Sequence, residues 1–211
     1  VHPVHLEFLG DLEGVARAKA EILDGARENA VAVLNADDPR VMRIGAGRPG
    51  RRLTFGLGPG ADVRAGAVRP LGESGLAFEL DCRGHKAFVQ TALLYEEYIV
   101  NLLAAVGTCE ALGVPLEAVV HGLAALRPLP RRGALVRLGK NVRLVDDSYN
   151  SNPRALAAAL KGLGAFPASR RVAVLGYMLE LGDGAPGYHR AAGRQVVEFG
   201  WDLLVAVGPL A

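Results

Sequence analysis

The densest chemistry in the sequence lies in Val145-Asp146-Asp147-Ser148-Tyr149-Asn150-Ser151-Asn152-Pro153, which follows a strand-like run and opens a helix-like one. Asn152 suits a helix N-cap and Pro153 the first helical position, so part of this polarity is structural. A helix needs one cap. Two acids, a serine, a tyrosine and a second asparagine remain at the carboxyl end of a strand, where open α/β sheets place their ligand crevices. A binding role is therefore expected of the cluster. Elsewhere Lys19 stands four residues after Val15 and three before Ile22, on the apolar stripe of a helix, where an unpaired ammonium is costly to bury. Asn101 is expected on the inward face of a helix among Val100, Leu103 and Ala104, where a buried amide needs partners. His5 sits beside Pro3 and Val4, a setting typical of packing or capping, and Arg131-Arg132 read first as a solvated hinge.

The glycine-rich stretches are not phosphate cradles. Gly56-Leu57-Gly58-Pro59-Gly60 leads into a strand rather than a helix. Gly133 to Lys140 has one residue too many between its glycines for a P-loop, with Asn141 where serine or threonine should stand. No G-x-G-x-x-G joins a strand to a helix, which disfavours a dinucleotide-dependent dehydrogenase.

Two different sets of elements must position these residues. An amphipathic helix over Leu12–Leu23 and a short strand over Ala30–Leu34 precede the turn Asn35-Ala36-Asp37-Asp38-Pro39. Short strands follow at Leu53–Phe55, Ala61–Val68, Leu76–Leu80 and Ala87–Leu93, then helices at Ile99–Leu112 and Leu116–Leu126. The proline-rich Arg127–Arg132 marks a domain boundary. Beyond it strands at Val142–Val145, Val172–Leu175 and Leu203–Val207 alternate with helices at Arg154–Leu163 and His189–Phe199, the pattern of a doubly wound, mainly parallel α/β sheet. The expected domains are 1–127 and 128–211.

Composition narrows the function classes. The 211 residues hold 24 Lys plus Arg against 22 Asp plus Glu, a formal charge of +2 with no basic stripe, which argues against a nucleic-acid partner. No apolar run approaches a membrane span. Cys82 and Cys109 lack metal-ligand spacing and read as two buried thiols in a reducing compartment. The chain begins without methionine and stops just after a strand-like run, so both ends read as cut.

VDDSYNSNP, LNADDPRV at Leu34–Val41, ARAKAEIL at Ala16–Leu23 and VLGYMLELG at Val174–Gly182 together resemble the Mur ligases, most of all the branch that adds D-alanyl-D-alanine. The likeness runs from about His5 to His189. It implies the rear of a central ATPase domain followed by a truncated Rossmann-like C-terminal domain, without the P-loop or the N-terminal UDP-binding domain. It also implies a cytoplasmic, monomeric ATP-dependent ligase of peptidoglycan precursor synthesis, serving the cell wall, cell shape and cell division. ATP would phosphorylate the carboxylate of a UDP-MurNAc-peptide, and the amine of D-Ala-D-Ala would attack the acyl phosphate, with Mg2+ neutralising charge.

By the same resemblance His5 binds magnesium, as does Lys19 in its carbamate form. Asn101 meets the adenine, Arg132 reaches the ribose and phosphates, Asp147 contacts the ribose with Tyr149 beside it, and Asn150 and Asn152 face the dipeptide, capping explaining Asn152 equally well. Three positions depart from the family pattern: Glu97 replaces a histidine, Tyr177 an aspartate and His2 a glycine. Other readings are a folylpolyglutamate-type or cyanophycin-type ligase, or a non-catalytic Mur-like module that binds nucleotide. The piece on its own is expected to be inactive.

Overall fold

The computed structural model describes residues 1–2, 6–47 and 49–211. The chain divides into two compact units, one of Val1 with Glu13–Arg127 and the other of His2–Leu12 with Pro128–Ala211. Among the described residues no helix is long and apolar enough to cross a membrane.

A short helix, α1 (Leu6–Leu9), belongs to the second unit and precedes α2 (Leu12–Asp24). In the first unit follow β1 (Ala32–Asn35), α3 (Pro39–Ala46), β2 (Arg52–Gly56), β3 (Val63–Pro70), β4 (Leu76–Cys82), β5 (His85–Thr91), α4 (Tyr98–Ala111) and α5 (Leu116–Ala125). The five strands form one sheet in chain order, parallel from β1 to β3 and antiparallel from β3 to β5. In its core Leu53, Val63, Leu76, Phe78, Leu80 and Val89 meet Ile99, Leu103 and Val106 of α4 and Val119 of α5. Ile99, Leu102, Leu103 and Val106 are buried at spacings of three and four, the stripe a helix turns toward a sheet.

The turn after β1 has a mechanical role. Asp38 caps α3, accepting from the N–H of Arg40 at 2.9 Å, with Pro39 in the first turn. The neighbouring Asp37 carboxylate accepts from the N–H groups of Leu57 and Gly58 at 2.6 and 3.1 Å, binding the β2–β3 turn to the end of β1. A Cβ at Gly56 would stand 2.8 Å from that carboxylate and would push it off its two N–H donors. Glu13 accepts from Arg40 at 2.8 Å and Arg43 at 2.6 Å, fastening α2 to α3.

The second unit continues with β6 (Ala134–Leu138), β7 (Val142–Asp146), α6 (Pro153–Gly164), β8 (Val172–Leu175), α7 (Ala185–Glu198) and β9 (Leu203–Ala206). β8 and β9 pair in parallel, whereas β7 pairs antiparallel with β6 in a hairpin. The stretch near to a P-loop is that hairpin, turning through Lys140 and Asn141 at φ of 62° and 61°. Leu160, Ala173 and Val196 form a small core, beside which the Trp201 Nε1–H donates to the carbonyl of Leu160 at 3.0 Å.

Candidate nucleotide site

In the second unit the sequence-predicted residues Arg132, Asp147 and Tyr149 come together. Gly133 N–H donates to the Asp146 carbonyl at 3.0 Å, and Tyr149 N–H donates to the Arg131 carbonyl at 3.1 Å. These two bonds align the entry to β6 with the exit of β7. Across them the Arg132 Cζ lies 3.8 Å from the Tyr149 ring centroid and the Arg131 Cζ lies 5.8 Å away, both within cation–π range. Arg131 takes φ of 61°, a left-handed conformation.

The adjacent carboxylates are pushed in opposite directions. Asp146 accepts from the N–H of Ser148 at 3.1 Å, and hydrogen bonds from the Ser148 side chain and backbone lower its pKa. Burial raises the pKa of Asp147, against the pull of the Arg132 guanidinium and the Gly133 N–H. The arrangement offers a cation and an acceptor carboxylate side by side, which suits a ribose hydroxyl next to phosphate oxygens.

Asn152 caps α6: its side chain accepts from the N–H of Ala155 at 3.0 Å, with Pro153 behind it. Asn150 is exposed and accepts from the N–H of Ser151 at 2.8 Å. Past the end of β8, Met178 and Leu181 are buried, and the Met178 N–H donates to Nε2 of His189 at 2.8 Å. His189 Nδ1 faces the Ala185 carbonyl at 2.7 Å, so the imidazole pins the loop to α7. Tyr177 lies over Gly208, which has φ of 99°, a conformation that favours glycine; a Cβ there would stand 2.4 Å from the ring, which would have to move. Sequence reasoning missed the holding roles of Arg131, Gly133 and His189; the glycine after two arginines was the one available signal.

The first unit corrects three expectations. Lys19 is exposed rather than set on a buried stripe. Only Gly14, Val15 and Ala16 of α2 are buried, and Ile22 is 80% exposed, because the described residues cover only the first half of the stripe. Asn101 is also exposed; the helix buries Ile99, Leu102, Leu103 and Val106, and position 101 falls off that face. Cys82 is buried, but Cys109 is only half-buried. His5 lies outside the described residues. Among the described residues no group of three or more His, Cys, Asp or Glu could hold a metal ion.

Comparison with known proteins gives two family matches, the Mur ligase middle domain over residues 1–109 and the "Mur ligase, glutamate ligase domain" over residues 131–211. The UDP-N-acetylmuramoyl-tripeptide--D-alanyl-D-alanine ligase of Escherichia coli (strain K12) is 34% identical over 97% of this chain and 45% of its own length. A crystal structure of MurF from Acinetobacter baumannii superposes with a TM-score of 0.91 at 31% identity, over 100% of this chain and 46% of that one. MurF ligase from Thermotoga maritima in complex with ADP gives 0.87 at 29% identity, over 100% and 48%. The chain spans about half the length of the curated relatives it matches.

Proposed function

The chain belongs to the Mur ligase family, and on that premise we propose that it forms part of a cytoplasmic, monomeric ATP-dependent ligase adding D-alanyl-D-alanine to a UDP-linked muramoyl tripeptide. Residues 1–127 are assigned to the central ATP-binding domain and 128–211 to the C-terminal Rossmann-like domain. The observation that carries the nucleotide part is the cluster of Arg132, Asp147 and Tyr149 at the carboxyl end of β7. The choice of dipeptide is supported by similarity to proteins named for that reaction.

ATP supplies the phosphoryl group that activates the peptide carboxylate as an acyl phosphate. Arg132 would pair with phosphate oxygens and Asp147 would accept from a ribose hydroxyl. The exposed amide of Asn101 would meet the adenine. Asn150, which is exposed and whose amide oxygen accepts from Ser151, would present its amide N–H groups to the dipeptide, while Asn152 serves first as a cap. These 211 residues contain no P-loop, so the cradle for the phosphates is assigned to residues outside them, and the chain alone is expected to be inactive. Lys19, an exposed residue, would as a carbamate supply a magnesium ligand, and the same role is assigned to His5.

The test is radiolabelled ATP hydrolysis with the tripeptide precursor and D-Ala-D-Ala, using the longest polypeptide that carries this chain and the 211 residues alone. Dipeptide-dependent turnover by the first and none by the second is expected. Turnover with glutamate or another amino acid in place of the dipeptide, and none with D-Ala-D-Ala, would reassign the substrate. Mass spectrometry in bicarbonate buffer should find 44 Da added at Lys19, about the mass of carbon dioxide.

A second reading, a nucleotide-binding module without catalysis, draws on Tyr177, whose ring covers Gly208 where the family pattern has a carboxylate. Nucleotide binding with neither a Lys19 carbamate nor turnover would select it.

A further inference from the structure

Tyr149 is 57% exposed at the mouth of the proposed nucleotide site, a position that invites the reading of a ring offered directly to the ligand. The geometry assigns its face elsewhere. The Arg132 guanidinium carbon is 3.8 Å from the ring centroid, well inside the distance at which a cation is held by an aromatic face. The pairing is built in by the backbone: Tyr149 N–H donates to the Arg131 carbonyl and Gly133 N–H to the Asp146 carbonyl, one bond on each side of Arg132. The left-handed turn at Arg131 brings a second guanidinium to 5.8 Å from the same ring.

We propose that Tyr149 is a positioning residue whose ring holds the Arg132 guanidinium in place for the nucleotide, so that the ligand is met by the arginine and not by the tyrosine. This rests on the ATP-dependent reading above and refines it. An exposed arginine gives up rotamer freedom when it grips an anion, and restraining it beforehand reduces that loss. The hydroxyl has no part in the interaction. The contact is made by the ring face, so a phenylalanine ring would serve it as well.

The experiment is a double-mutant cycle on the longest polypeptide that carries this chain, with kcat and KM for ATP measured for Tyr149→Leu, Tyr149→Phe, Arg132→Ala and the Leu/Ala double variant. Tyr149→Leu should raise KM for ATP about two- to fivefold, the range for an exposed cation–π contact, with kcat changed far less. Phenylalanine should restore KM. In the Arg132→Ala background the leucine should add nothing, since the arginine it acts through is gone. Tyr149→Gln, equally ringless but polar, replaces the leucine variant if that one folds poorly. Effects that add, or a phenylalanine variant as impaired as leucine, would overturn the assignment, as would an unmoved KM in the ringless variants. Absence of ATP-dependent ligation by the unaltered protein would instead overturn the proposed function, and this inference with it.

Discussion

Asn152 separates a structural role from a substrate role, and its two outcomes can be told apart in one series. The side chain accepts from the Ala155 N–H at 3.0 Å, meeting one of the four N–H groups that the first turn of α6 leaves without helical partners. Removal of such a cap by alanine costs about 1 kcal/mol, whereas aspartate keeps the acceptor and favours the positive end of the helix dipole. The second unit is of a size at which about 1 kcal/mol moves Tm by about 4–8 °C. Trp201 is the only tryptophan, and its indole N–H donates to Leu160 within α6, so its fluorescence reports on the helix that the cap begins. Thermal unfolding of the 211 residues followed at Trp201 should place Asn152→Ala several degrees below the parent and Asn152→Asp level with it or above, with ligation retained when the aspartate substitution is made in the longest polypeptide that carries this chain. An alanine variant that melts with the parent would refute the cap. An aspartate variant of full stability but without ligation would show that the amide itself is read by the substrate.

Two further outcomes follow from the protonation states. Burial, with Glu110 adding to it, pushes the Cys82 thiol up to about 11, so at pH 8 about one molecule in a thousand carries the reactive thiolate. Iodoacetamide should therefore reach half-buried Cys109 first and modify Cys82 only in denaturant; peptide mapping with Cys82 labelled first in the native protein would contradict this. For the paired acids the signs are opposite. The lowered pKa of Asp146 contributes stability above the ordinary 3.8 that is lost as pH falls through the folded value, so Asp146→Asn should be less stable at pH 7 and level with the parent in acid. The raised pKa of Asp147 imposes a penalty that grows as pH rises through the folded value, so Asp147→Asn should gain stability at pH 7 and lose that gain below 3.8. Urea titrations across pH giving the same sign for both variants would refute the assignment.

Much of the fold was legible because periodicity and caps are local. The Asn152-Pro153 pair marked the start of α6, and alternation of short apolar runs located β2 to β5 and the β8–α7–β9 unit. α3 was missed, because Asp38-Pro39, which cap and open it, satisfy a plain turn equally well. β6 was hidden. Its turn requires positive φ at Lys140 as well as Asn141, a conformation that asparagine signals and lysine does not. Burial was the larger gap: a stripe through Val15, Lys19 and Ile22 shows which residues share a face of α2, not whether anything covers it. The meeting of Arg132 with Tyr149 depends on the β6–β7 pairing that brings Gly133 to Asp146, a contact that no local pattern contains.

The central claim is ATP-dependent ligation through an acyl phosphate, and isotope transfer tests it most directly. Tripeptide precursor labelled with 18O in the reacting carboxylate should be incubated with ATP, D-Ala-D-Ala and the longest polypeptide carrying this chain, and the released phosphate analysed by mass spectrometry. One 18O atom per phosphate formed, in step with the amide product and only when the dipeptide is present, is the predicted result. Amide product with unlabelled phosphate would contradict the account.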